Sequence, residues 1–151
     1  MITLESVSDE LFRGIERALP GWIERHVQRL LIACNRSVDD EASTLIADAV
    51  GACAADVLPQ LRTLFATDID LQRTNPLAIA RRAVVYPTRV LSQLGVPEVQ
   101  RDEFAERNFP NDVYNLAPAT FADVDPELHD LGIAWGAAKA YTHLQRRRKE
   151  S

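Results

Sequence analysis

Apolar residues recur three and four positions apart through most of this chain, and strand-like alternation is scarce, so the pattern predicts helices. Leu11, Phe12, Ile15 and Leu19 share one face after the polar start Ser8-Asp9-Glu10. The pattern resumes past Pro20-Gly21 with Trp22, Ile23, Val27, Leu30, Leu31 and Cys34. Periodicity leaves open whether Pro20 kinks one helix or begins another. Asn35 to Asp40 reads as a turn, with Ser37, Asp39 and Asp40 competing to cap the longest periodic segment.

That segment carries Ala42, Leu45, Ile46, Ala49, Val50, Cys53, Val57, Leu61, Leu64 and Phe65 on one face, opposite Asp48, Asp56, Gln60 and Arg62. It is expected to be the central helix of the core, bent or split by Pro59. Its small residues Ala47, Ala49, Gly51, Ala52, Ala54 and Ala55 are expected to let another helix approach closely. Asn75-Pro76 starts a further helix by cap-and-proline logic. Pro87 breaks or restarts that helix, and Gly95 is a natural C-terminal glycine. A short charged segment spans 97–108, and a proline-marked connection follows over 109–126, with Tyr114, Leu116 and Phe121 expected to pin it to the body.

Asp125-Pro126-Glu127 begins the last helix, whose inward face would include Leu128, Leu131, Trp135, Ala138, Tyr141 and Leu144. Gly132, Gly136 and Ala140 make a smooth stripe, expected to serve a core contact ahead of a homodimer interface. The expected fold is therefore all-α. It is a single-domain helical bundle of about five to seven helices over 1–151, with a proline-rich connection before the last helix and a frayed basic tail at 146–151.

A chain of 151 residues with 46% apolar positions can bury a core without a metal or disulfide staple. Its two cysteines, Cys34 and Cys53, form no disulfide framework and read as inert thiols on apolar faces. Met1 to Glu10 has acids where a secretory leader needs bases, and no long uncharged apolar run occurs. The expectation is a cytoplasmic protein with no membrane partner. The 15 arginines against 2 lysines reflect a GC-rich genome more readily than a functional demand.

Signatures of chemistry are missing. The six glycines are scattered, and neither Gly-x-Ser-x-Gly, His-Glu-x-x-His nor Glu-x-x-His occurs. No cofactor, metal or catalytic residue is expected. Asp125 and His129, one turn apart, would be the seed of an enzyme site assembled from scattered residues, yet such a pair more often caps a helix.

The net charge of −5 hides a strong segregation. Residues 1–70 sum to −6, residues 71–97 to +4, residues 98–145 to −6 and residues 146–151 to +3. The middle stretch holds Arg73, Arg81, Arg82 and Arg89 with no acid; the tail holds Arg146, Arg147, Arg148 and Lys149. These arginines either pair with the acids of the first half or, with the tail, form a patch for a polyanion. A helix-turn-helix over 89–107 fits poorly, because Arg101 stands where an aliphatic is needed and Asp102, Glu103 and Glu106 would face phosphates.

Asn75-Pro76-Leu77, Tyr86-Pro87-Thr88, Gly95-Val96-Pro97, Arg101-Asp102-x-Phe104, Phe109-Pro110-x-Asp112-x-Tyr114, Leu116-x-Pro118-Ala119, Asp125-Pro126 and Trp135-Gly136-Ala137-Ala138-Lys139 form a set covering the last half of the chain. In these motifs the chain resembles a family of small conserved hypothetical proteins of actinobacteria. The resemblance implies no activity and assigns no catalytic role. The leading expectation is a non-enzymatic interaction or regulatory module with an unknown protein partner, meeting it through Phe109, Pro110 and Tyr114 and through the Arg81, Arg82 and Arg89 face. The alternative is a nucleic-acid-associated protein using that face with Arg146, Arg147 and Arg148.

Overall fold

The structure, a computed structural model, describes residues 3–66, 76–98 and 112–150. The described residues contain helices and no strand: α1 (Leu4–Ala33), α2 (Asp40–Ala66), α3 (Pro76–Ala80), a 3-10 turn (Arg81–Val84), α4 (Val85–Gln93), α5 (Phe121–Val124) and α6 (Leu128–Glu150). The fold is all-α, as the periodicity predicts. The charged 99–108 segment, the second half of the helix-turn-helix candidate, Phe109 and Pro110 lie outside the described residues.

Two of the three prolines that periodicity leaves undecided sit inside unbroken helices: Pro20 in α1 and Pro59 in α2. A proline removes the hydrogen bond to the carbonyl four residues back. Here those carbonyls belong to Glu16 and Ala55, and both residues, like both prolines, are exposed. Water can satisfy the orphaned groups while the buried faces continue uninterrupted. Pro87 behaves differently. It stands in the first turn of α4, just where the tighter 3-10 turn gives way to α-helix, so its ring ends one and begins the other.

The helix ends explain the chain reversals. Asp39 caps α2, its Oδ1 accepting from the Ala42 amide at 2.8 Å. At the end of α1, Asn35 takes a positive φ of 57°. Its amide donates to Ile32 O and the Arg36 amide donates to Leu31 O. At the end of α4, Gly95 takes φ 71°. Its amide donates to Ser92 O, and the Val96 amide donates to Leu91 O. Both are Schellman closures, one built on asparagine and one on glycine.

The core centres on α1, not on α2. Helix α1 packs against α2, α4, α5 and α6 and buries residues from Val7 to Leu31 over a wide arc. Gly14 lets α6 come close to it: a Cβ there would meet Leu128 Cδ2 at 2.5 Å. The buried positions of α2 are Ala42, Ile46, Ala49, Cys53, Val57, Leu61 and Leu64, the apolar face that its spacing predicts. Of its small-residue cluster Ala49 is buried, but most of the rest is not a packing site. Ala47, Gly51, Ala52 and Ala55 are exposed, and a Cβ on Gly51 would touch nothing within 4 Å. By length and composition α2 is the one described helix apolar enough to cross a membrane; in this fold its apolar stripe is core and Asp48 and Asp56 stand off it.

Helix α6 also departs from expectation. Leu128 and Trp135 are buried, but Tyr141 is 65% and Leu144 55% exposed. Trp135 packs edge-on against Phe65, and Phe65 against Phe12. Beyond that level α6 outruns the start of α1 at Leu4, so its distal half has little to pack on. It remains helical through Arg146-Arg147-Arg148-Lys149 to Glu150, with no glycine or proline to stop it and bases that complement its C-terminal dipole.

Candidate functional site

The arginine-bearing stretch folds into one wall of a cleft. Residues 81–84 turn tightly and residues 85–93 continue as α4, so Arg82, Tyr86 and Arg89 follow one another up one side, three and four residues apart. Helix α2 supplies Asp56, and the loop after residue 112 supplies Asp112 and Ala117. The cleft encloses about 510 Å³ and is also lined by Ala78, Val84, Val85 and Thr88. That volume lies in the range of small-ligand and peptide sites.

Asp56 organises the floor. Its Oδ2 accepts from the Tyr86 hydroxyl at 2.7 Å, and its Oδ1 accepts from Gln60 Nε2 at 2.9 Å. Arg82 Nη2 stands 3.6 Å from Oδ1, an ion pair whose arginine side chain is 56% exposed. Burial, then the hydrogen bond to Asp56 and its charge, push the Tyr86 phenol up to about 12. Burial, followed by Asp56, likewise raises the Cys53 thiol to about 12. Cys53 is fully buried and inert as expected; Cys34 is only half-buried.

The three cleft arginines are held in three ways. Arg81 Nε donates to Pro118 O at 3.1 Å, tying the cleft wall to the proline-marked connection. Arg82 answers a first-half acid, as the pairing alternative requires. Arg89 is exposed at the rim with its guanidinium 5.6 Å from the Tyr86 ring centroid, and no described carboxylate pairs with it. Thr88 adds a buried hydroxyl that has no hydrogen-bond partner among the described residues.

Tyr114 is 3% exposed, its hydroxyl donating to Val96 O at 3.2 Å, so it pins the loop to the end of α4 and is not a partner-facing residue. Asp112, 2% exposed, accepts from the Leu116 amide at 2.6 Å and from the Ala117 amide, closing the same loop. Arg146, Arg147 and Arg148 lie elsewhere. From the Phe65–Trp135 contact, Asp56 lies about 13 Å back along α2, while Arg146 lies about 16 Å forward along α6. The two basic groups therefore stand about 30 Å apart along the bundle and do not form one surface.

His129 is exposed and lines neither this cleft nor the second one, formed by the start of α1 and the end of α2. Asp125 spends its Oδ1 on the Glu127 amide at 2.9 Å, the capping role that its position predicts. Among the described residues, no group of His, Cys, Asp and Glu is arranged to hold a metal ion.

Asp56, Gln60, Tyr86 and Thr88 escape sequence reasoning. Asp56 and Gln60 read only as the polar face of a long helix. Their i, i+4 spacing, with Gln60 reaching back to Asp56, is the one local signal that marks them as a pair. Fold and cleft together define an all-α helical domain with a mixed-charge, arginine-rimmed cleft. No family model matches the chain, and no curated protein or solved structure matches it either.

Proposed function

We propose that the protein is a non-enzymatic binding module of the cytoplasm, an interaction or regulatory domain whose cleft receives an acidic segment of a partner protein. The observation that carries this reading is Arg89. It is an exposed guanidinium preoriented over Tyr86 at the cleft rim, with no carboxylate of its own among the described residues. A bound Asp or Glu would complete it, and Arg82, only loosely held by Asp56 at 3.6 Å, can turn to the same ligand. Asp56, already engaged by Tyr86 and Gln60, fixes the floor and gives selectivity by repelling acids placed too deep. Free thiols at Cys34 and Cys53 suit a reducing compartment.

The nucleic-acid reading has weaker support, because it needs the tail and the cleft on one surface. A fluorescent Asp/Glu-rich peptide and a labelled RNA or duplex, each titrated at low and high salt, test the assignment. Wild type is expected to bind the peptide, and Arg82→Ala with Arg89→Ala to lose at least about tenfold in affinity. Absence of peptide binding at low salt overturns the proposal. Steeply salt-dependent binding of RNA or duplex in its place transfers the cleft to the alternative.

A further inference from the structure

Helix α6 carries two apolar faces, and the fold covers one of them. Leu128, Leu131 and Trp135 turn toward α1 and α5, while Ile133, Gly136, Ala137, Ala140, Tyr141 and Leu144 are all exposed. Ile133 is 60% and Leu144 55% exposed. Ile133, Ala137, Ala140 and Leu144 are spaced four, three and four apart, the seam of a helix pair. A Cβ on Gly136 would meet nothing within 4 Å, and with the two alanines this glycine leaves the middle of the seam flat, so a second backbone can come close.

We infer that this face is the homodimer interface of the protein, with α6 of a second copy lying antiparallel on it. Register and charge point to a second copy and to that direction. A two-fold axis midway between Ala137 and Ala140 sets Ile133 against the partner's Leu144, and Ala137 against the partner's Ala140. The same axis sets Asp130 level with the partner's Arg147. Charge is segregated along α6, with Asp125 and Glu127 just ahead of its first turn, Asp130 within that turn and Arg146 to Lys149 at its end. An antiparallel copy lays each acidic end beside a basic end, whereas a parallel copy sets like charges together. The interface buries the small-residue stripe where it leaves the core: Gly132 is covered by Phe121 of its own chain, and Gly136 and Ala140 are covered by the partner.

Light scattering or sedimentation from about 1 µM to about 1 mM reads the mass directly. The expected result is a concentration-dependent rise from 16.9 kDa toward twice that value. Ala140→Glu, an exposed helix position given a good helix former, is expected to remain monomeric with unchanged helicity. Asp130→Arg and Arg147→Glu are each expected to weaken the dimer, and the two together to restore it, because the swapped charges again meet across the axis. A monomer throughout overturns the proposal, as does a dimer that survives Ala140→Glu. Failure of the double variant to recover overturns the antiparallel register.

Discussion

The Tyr86 hydroxyl donates to Asp56 Oδ2 at 2.7 Å, joining the helix after the 3-10 turn to the middle of α2. The phenol is shielded from water and the acceptor is charged, so this bond does more than an exposed one of the same length. Tyr86→Phe keeps the ring and removes the donor. Urea unfolding should show a loss of about 1 kcal/mol, tempered by the partial exposure of Asp56. The bond also sets an alkaline limit. Tyr86 and Cys53 both titrate higher in the folded protein than in the unfolded chain, from 10.0 and 9.0 respectively to about 12. Their contribution is complete below pH 9 and falls away between pH 9 and 12. Tyr86→Phe should flatten the upper part of that fall.

Two glycines one turn apart on α6 should respond in opposite directions to the same change. A Cβ on Gly132 would sit 2.5 Å from Phe121 Cδ2, inside the ring that closes α5 onto α6. Gly132→Ala is expected to cost about 1–3 kcal/mol by overpacking. Gly136 faces open space within a helix, so Gly136→Ala is expected to raise stability by about 0.5–1 kcal/mol. Thermal unfolding at dilute protein separates them; equal effects would show that Phe121 swings aside freely.

Much of this fold is legible because helices announce themselves locally. The buried positions of α2 and the Gly95 terminus follow from residues within one or two turns, and the same residues narrow the α2 cap to Ser37, Asp39 or Asp40. What periodicity cannot supply is the identity of the neighbour. Pro20 and Pro59 stay inside helices because they fall on faces that no element covers, which is a tertiary fact. Tyr141 and Leu144 match the helical period yet remain exposed because α1 begins too late to meet them. The site follows the same division. Segmental charge singles out Arg81, Arg82 and Arg89, but the acid that meets Arg82 stands on another helix, and no local pattern pairs Asp56 with Tyr86, 30 residues further on.

Arg36 reaches from the closure of α1 to the Leu94 carbonyl at the end of α4, placing a cation on a helix C-terminus and satisfying one of its last carbonyls. Arg36→Ala should therefore cost about 0.5–1 kcal/mol although the residue is exposed. Gly95→Ala, forced into φ 71° at the same place, should cost about 1 kcal/mol or somewhat more. Chemical denaturation of the two single variants and the double variant measures whether the closures act as one unit. Strict additivity would show that they do not.

His26 and Asp112 supply the acid-side counterpart of Tyr86. The imidazole packs edge-on against Trp22, with ring centroids 4.8 Å apart. Burial, then the charges of Arg29 and Arg25, hold its pKa below the usual 6.5, against a smaller upward pull from Asp112. A lowered folded value means that the unfolded chain takes up the proton first, so stability should fall as the pH drops below about 6.5. Asp112→Asn removes the upward pull. It should lower His26 further, widen the gap between folded and unfolded values, and steepen the loss between pH 7 and 5. The same substitution gives up a carboxylate that accepts from both the Leu116 and Ala117 amides, costing about 1–3 kcal/mol at every pH. Proton NMR of the His26 ring, beside the unfolding measurement, separates the two effects. An unchanged His26 titration in Asp112→Asn would mean that the carboxylate acts on loop closure alone.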